Sequence, residues 1–238
     1  MKFSGAMEFS EVINIRRSVR KFLPEAVPDS IIERALDDAL LAPNSSNMQP
    51  WEFYWITEPS KKAALVKACL SQPAAATAQV LIVAIARTNT WKRNRKLMLE
   101  ALSKLEKVPR SAQVYYEKIV PYMYQTGPFN SFGIFKKLIS FFAGIFRPFP
   151  RGPSTKGDVE EMIIKTTALA CENLMLSVFD QGYACCPMEG LDECRVKKIL
   201  GLGSSARVVM AIGIGRGDPT GIYSDRIRFD RSLFVHKI

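Results

Sequence analysis

The chain has a single histidine, His236, and no Cys-x-x-Cys pair among its five cysteines. These shortages argue against a metal centre, because zinc sites draw on clustered Cys and His. They also leave no Ser–His–Asp or Cys–His set for nucleophilic catalysis. Cys69, Cys171, Cys185, Cys186 and Cys194 follow no framework spacing, and their odd number points to reduced thiols in a cytoplasmic protein. Long apolar runs are missing too. Val80–Ala86 and Leu138–Ile145, the second broken by Ser140, fall far short of the ~20 residues of a membrane span. Met1–Phe9 lacks the apolar core of a secretion signal. Zinc-finger and RNA-recognition motifs are absent, so the net charge of +10 is not read as nucleic-acid binding. That charge suits an anionic ligand or membrane surface, or simply keeps the protein soluble.

What is present is an ordinary globular composition, 47% apolar and 24% charged over 238 residues, enough for one domain with a sizeable core. Periodicity predicts a short helix around Phe9, Val12 and Ile13, then a helix after Pro28 capped by Asp29 or Ser30, with capping-box spacing to Glu33. Trp51–Thr57 reads as a strand and Pro59–Leu70 as a helix. Gln79–Ala86 is a β-branched apolar run fit for a central strand. Residues 91–153 form a basic, aromatic helical insertion. Asp158 is expected to cap a long helix ending near Gln181. Gly182–Cys186 and Ala206–Ile214 are strands, separated by a helix from Asp192 to Gly201. The alternation indicates an α/β (α+β) sandwich, a central mixed β-sheet flanked by helices.

Four clusters carry candidate chemistry. Arg16-Arg17-Ser18-Val19-Arg20 concentrates guanidinium groups and a hydroxyl that can grip a phosphate; a solvated basic turn is the plainer reading. The loop Pro43–Trp51, with Asn44, Ser45, Asn47 and Gln49, is stiff and rich in donors and acceptors that could read the edge of a flat heterocycle. It is equally an ordinary helix-to-strand connection. Pro187-Met188-Glu189-Gly190 sits at the carboxyl end of a strand, where ligands of α/β proteins usually lie. Arg226 and Arg228, at i and i+2 on an extended tail, point the same way.

In this order and at these separations the clusters resemble the FMN-binding nitroreductase family, over roughly residues 8–86 and 158–232. The resemblance implies an obligate homodimer with two FMN sites at its interface. Arg16, Arg17, Ser18 and Arg20 would bind FMN from one subunit, with Arg20 towards the flavin N1/O2 edge and Arg16 and Ser18 towards the phosphate. Pro43, Asn44, Ser45 and Asn47 would come from the other subunit, with Gln49 in the same loop. Pro187, Met188, Glu189 and Gly190 would cover one flavin face, and Arg226 and Arg228 would complete the phosphate site. Where the family often has an Asn or Gln beside a basic residue before the central strand, this chain offers only Gln72. No side chain is expected to be catalytic in its own right, since the flavin carries the chemistry. NAD(P)H would reduce FMN, and a nitroaromatic, quinone or related acceptor would follow in a ping-pong cycle. The alternatives are a non-enzymatic flavin-binding protein, or another flavin enzyme on this scaffold such as a reductive dehalogenase.

Within the insertion, Ile134, Phe135, Leu138, Ile139, Phe142, Ile145 and Phe146 fall on one face of a helix, and Gly133, Lys136, Lys137, Ser140, Ala143, Gly144 and Arg147 on the other. The apolar face is expected to pack on the protein's own core or its dimer partner. A wall of the substrate pocket is the second destination, and a membrane interface the last.

Overall fold

The computed structural model describes residues 8–238. Met1–Met7, most of the stretch read above for a secretion signal, lies outside the described residues. In chain order the elements are α1 (Phe9–Ile15), α2 (Asp29–Leu40), β1 (Trp51–Ile56), α3 (Pro59–Ala68), α4 (Pro73–Ala76), β2 (Val80–Arg87), α5 (Trp91–Ser103), α6 (Arg110–Val114), α7 (Val120–Tyr124), α8 (Ser131–Phe146), α9 (Lys156–Asp180), β3 (Ala184–Met188), α10 (Glu193–Leu200) and β4 (Ala206–Gly215). A π-turn, Tyr115–Ile119, joins α6 to α7.

The four strands form one sheet in the order β1-β2-β4-β3, with every neighbouring pair antiparallel. Among the described residues parallel pairing is confined to an isolated bridge between Ser18 and Cys185, so the mixed sheet expected from the sequence is antiparallel among its named strands. Leu81 to Ala86 of β2 are fully buried, which requires helices on both faces of the sheet. α9 spans the strands on one side and packs on α2, while α3, α4 and α10 contact the sheet on the other. The stripe Val159, Ile163, Ala170, Cys171, Leu174 and Val178 turns α9 into the core, at the spacing a buried helical face demands.

Two predicted caps are corrected. α2 begins after Pro28 with no side-chain cap: Asp29 already lies in the helix, and proline's fixed φ sets the entry instead. The cap of α9 is Thr155, not Asp158. Asp158 is the other half of a capping box, accepting from the Ser154 and Thr155 amides at 2.8 and 2.9 Å. Those bonds to its charged form hold the Asp158 carboxyl below its usual pKa. Asp192 does cap α10, which ends at Gly201 as expected.

The largest departure concerns α8. Its polar side is the buried one. Lys136 is 1% exposed, and its Nζ donates to the Met123 and Pro153 carbonyls at 3.1 and 3.3 Å while lying over the rings of Tyr122 and Phe132. Ser140 donates to the Pro150 carbonyl. Phe135, Leu138, Phe142, Ile145 and Phe146 are exposed. The expected packing of this apolar face on the chain's own core is therefore overturned. The backbone carbonyls left at the C-terminal end of α7 and in the irregular 150–154 segment need donors, and the polar face supplies them. Pro128–Phe146 and α9 are the two helices long and apolar enough to cross a membrane by length and composition among the described residues, which the count of uninterrupted apolar runs did not reveal. α9 is the core helix.

Docking of α8 is close at Gly133, where a Cβ would meet the Ser154 carbonyl oxygen at 2.1 Å. Gly133→Ala is therefore expected to lift α8 from its seat at a cost of about 1–3 kcal/mol. Hydrogen-exchange mass spectrometry should show faster exchange across 131–146; unchanged protection would contradict this seat.

Candidate functional site

The site is built on an extended segment that follows α1. Val19 and Phe22 are buried and pin it to the core, so the intervening polar residues face outward. Main-chain bonds fix its path: the Val19 amide donates to Cys185 O, Arg20 to Gly221 O and Leu23 to Arg216 O, at 3.2, 2.9 and 2.8 Å. The approach is so close that a Cβ on Gly221 would meet the Lys21 backbone N and O at 2.7 and 2.8 Å. Only glycine fits there.

This seating brings the two basic clusters together. Arg16, Arg17, Ser18, Arg20, Arg226 and Arg228 share one cavity of about 190 Å³ with residues 222–225. Arg17 donates to the Ser224 carbonyl at 2.5 Å, and Arg226 donates to the Arg16 carbonyl, tying the tail to the opening motif. Five guanidinium groups face two carboxylates here, Asp225 in the lining and Glu172 at 3.6 Å from Arg16. Desolvation, then the positive charges of Arg228, Arg17 and Arg16, lower the pKa of Arg226. An anion placed among these groups would relieve that repulsion.

A second cavity of about 400 Å³ adjoins the first and shares Ser18, Arg20 and Tyr223 with it. Gln72, Pro187, Met188, Glu189 and Gly190 line it, with Pro73, Ala74 and Cys186. Gln72 Nε2 donates to the Gly190 carbonyl at 2.6 Å and to the Cys69 carbonyl at 3.1 Å, which fixes the turn after β3. Among the described residues, the Glu189 and Gly190 amides donate to no protein acceptor. Burial pushes the Cys186 thiol up, against the opposing pull of Arg20. No group of three or more potential metal ligands occurs among the described residues.

Sequence reasoning missed Tyr223, which lines both cavities and carries the Arg20 guanidinium 5.2 Å from its ring centroid. An aromatic residue opening a basic tail was the available signal.

Pro43, Asn44, Ser45, Asn47 and Gln49 line neither cavity. Their loop leads into β1, and β1 and β3 are opposite edges of the sheet, on the order of 14 Å apart at ~4.8 Å per strand. The loop is nevertheless built tightly. Ser46, Asn47 and Gln49 have φ of 59°, 48° and 42°, costly for residues with a Cβ and sustained only by surrounding contacts. Asn44 Oδ1 accepts from the Gln49 amide at 2.8 Å. The insertion supplies the rest: buried Asn94 donates to the Met48 and Gln49 carbonyls at 2.7 and 3.2 Å, Tyr115 lies 2.7 Å from the Ser46 hydroxyl, and Tyr116 donates to the Ser46 carbonyl. No motif marked Asn94, Tyr115 or Tyr116, because their role depends on a contact made 45 to 70 residues away in sequence.

Asn94→Ala leaves two carbonyls of this loop without their donor. A loss of about 1–3 kcal/mol is expected, read as a lower denaturation midpoint with faster exchange at residues 44–49. An unchanged midpoint and unchanged exchange would mean that the loop holds itself.

The geometry agrees with the chain's likeness to known proteins. A family model described as "Nitroreductase family" matches residues 13–216. YdgI of Bacillus subtilis, which carries the name of an NAD(P)H nitroreductase, is 25% identical over 226 residues, covering 94% of this chain and 95% of that protein. A local match to a protein named NADH dehydrogenase from Thermus thermophilus is 35% identical over 68 residues, 29% of this chain, and spans only 33% of that protein's length. Among solved structures, a nitroreductase-named protein from Exiguobacterium sibiricum in complex with FMN superposes with a TM-score of 0.72 at 21% identity, over 100% of both chains. The family match, the shared fold and the convergence of the two arginine clusters on one cavity agree, and this chain belongs to the nitroreductase family.

Proposed function

We propose that the protein is an FMN-dependent oxidoreductase that passes electrons from NAD(P)H to a small electrophilic acceptor, such as a nitroaromatic or a quinone. One observation carries this reading: a guanidinium-lined cavity opens into a larger, partly apolar one through shared Ser18, Arg20 and Tyr223. A phosphate on a short polar stem joined to a flat heterocycle has the same division. The donor set fits FMN. Crowded guanidinium groups await an anion at one end, and open amides at Glu189 and Gly190 await an acceptor at the other.

Within this reading Arg16, Arg17, Arg226 and Arg228 hold the phosphate, and Ser18 adds a hydroxyl. Arg20, positioned by Tyr223, places a permanent positive charge against the polar edge of the ring, where negative charge gathers on reduction. Gln72 holds the Gly190 carbonyl and so orients the turn that covers one ring face. Bound FMN supplies the hydride and electron-transfer chemistry itself. No titrating thiol or histidine is then required, in keeping with the raised pKa of Cys186. Four buried cysteines and exposed Cys194, all free, suit a reducing, cytoplasmic compartment.

The purified protein is expected to show the absorption bands of oxidised flavin, to release FMN on denaturation and to oxidise NAD(P)H in the presence of an acceptor. Arg16→Ala or Arg228→Ala should weaken FMN binding roughly tenfold to a hundredfold, the equivalent of one lost charged hydrogen bond at ~1.5–3 kcal/mol. Equal FMN affinity in both variants and the wild type would place the phosphate elsewhere.

The isolation of the 44–49 loop from both cavities supports a second part of the proposal. The loop serves the flavin site of a partner subunit, in a homodimer with two composite sites. Sedimentation velocity should then show a dimer whose dissociation releases FMN. A monomer that binds FMN one to one would disprove this arrangement.

A further inference from the structure

We infer that the outward face of α8 is a docking surface for an anionic lipid bilayer, a conclusion independent of the flavin reading. Taken at ~100° per residue, Phe141, Ile134, Ile145, Leu138, Phe142, Phe135, Phe146 and Ile139 occupy one continuous arc of the helix. Its one polar residue is Ser131, at the first position of the helix. All but Ile139 are exposed, Phe146 at 87%. The arc is held outward by the protein's own contacts. Lys136 and Ser140 lock the polar side inward through three hydrogen bonds to carbonyls, and Gly133 lets it seat against Ser154. Turning the apolar face into the core would break those bonds.

The charge around the arc selects its occupant. Between residues 118 and 157 the sequence has six basic residues and no Asp or Glu. Exposed Lys137 borders the arc, exposed Arg147 follows its last turn as the C-cap, and the Arg151 guanidinium lies against Gly144. Exposed Phe129 stands at the α8 N-terminal end and Arg147 lies over the Phe149 ring at its other end. Phenylalanine and isoleucine on one side, with lysine and arginine at the border, is the pattern of a helix lying in a lipid interface. A second copy of the chain would bring like charges together along the same borders, whereas acidic headgroups neutralise them. The helix lies on the bilayer rather than crossing it, because its polar face is already occupied by the protein and carries Lys136 at mid-length.

The test is co-sedimentation of the full-length protein, as purified, with vesicles of phosphatidylcholine alone or mixed equally with phosphatidylglycerol. The wild type should pellet with the mixed vesicles, much less with phosphatidylcholine, and less as salt is raised. Phe135→Ser/Phe142→Ser should lower the bound-to-free ratio at least tenfold, and so should Lys137→Glu/Arg147→Glu. Both pairs are exposed, so the thermal midpoint and far-ultraviolet circular dichroism should match the wild type. Wild type remaining in the supernatant would overturn the inference, as would either variant pelleting like the wild type. A wild type that ignores vesicles but loses self-association on Phe135→Ser/Phe142→Ser would assign the face to a second copy instead.

Discussion

The close backbone contact between residues 19–23 and residues 215–221 is the constraint on which the candidate site depends. Arginine side chains repel one another and favour solvent, so nothing in their own chemistry gathers five of them around one cavity. The gathering is imposed by steric fit and main-chain hydrogen bonds: Val19 and Phe22 are buried, Gly221 admits the Lys21 backbone, and Arg20 and Leu23 donate to carbonyls of the C-terminal stretch. The core thus sets against each other two charged segments separated by some 200 residues of chain. Desolvation and then the neighbouring guanidinium groups lower the pKa of Arg226, so the cluster carries positive charge that an anion would offset.

A second constraint acts at the far edge of the sheet. Three non-glycine residues in left-handed conformation within one short loop amount to stored strain. Asn94, Tyr115 and Tyr116 hold that strain in place from the insertion. The insertion is therefore not merely decoration between β2 and α9. Its first part shares a small core with Met48, Ala86 and the start of α9, so the loop conformation is coupled to the packing of α5 to α7.

Much of this was legible in the sequence, and the illegible parts have physical causes. Element order, the buried β2 run and the Asp192–Gly201 helix follow from periodicity and end signals that act over a few residues. The basic motif and the Pro187–Gly190 turn were visible as clusters. Their convergence with Arg226 and Arg228 followed from the family resemblance and not from the residues themselves, because pairing of distant segments depends on the tertiary fit at Gly221. Tyr223 was missed for the same reason. Capping at α9 was misassigned by one hydrogen-bond partner, since Thr155 and Asp158 are both competent acceptors and only the local path decides which is the cap.

Helix α8 shows the sharper limit. Periodicity states that a helix has two faces, but not which one the rest of the chain will claim. That choice depends on what the neighbouring segments leave unsatisfied. Here the irregular stretches on either side present carbonyls rather than an apolar cleft, and a buried lysine answers them. Burial lowers the pKa of Lys136, with Asp158 opposing. The same carboxyl closes the capping box of α9, so the seat of α8 and the start of the core helix share an electrostatic partner. An apolar face turned outward is thus the consequence of satisfying polar groups first. In a chain whose backbone carbonyls must find donors, that order of priority suffices to create an exposed hydrophobic surface without any defect in the fold.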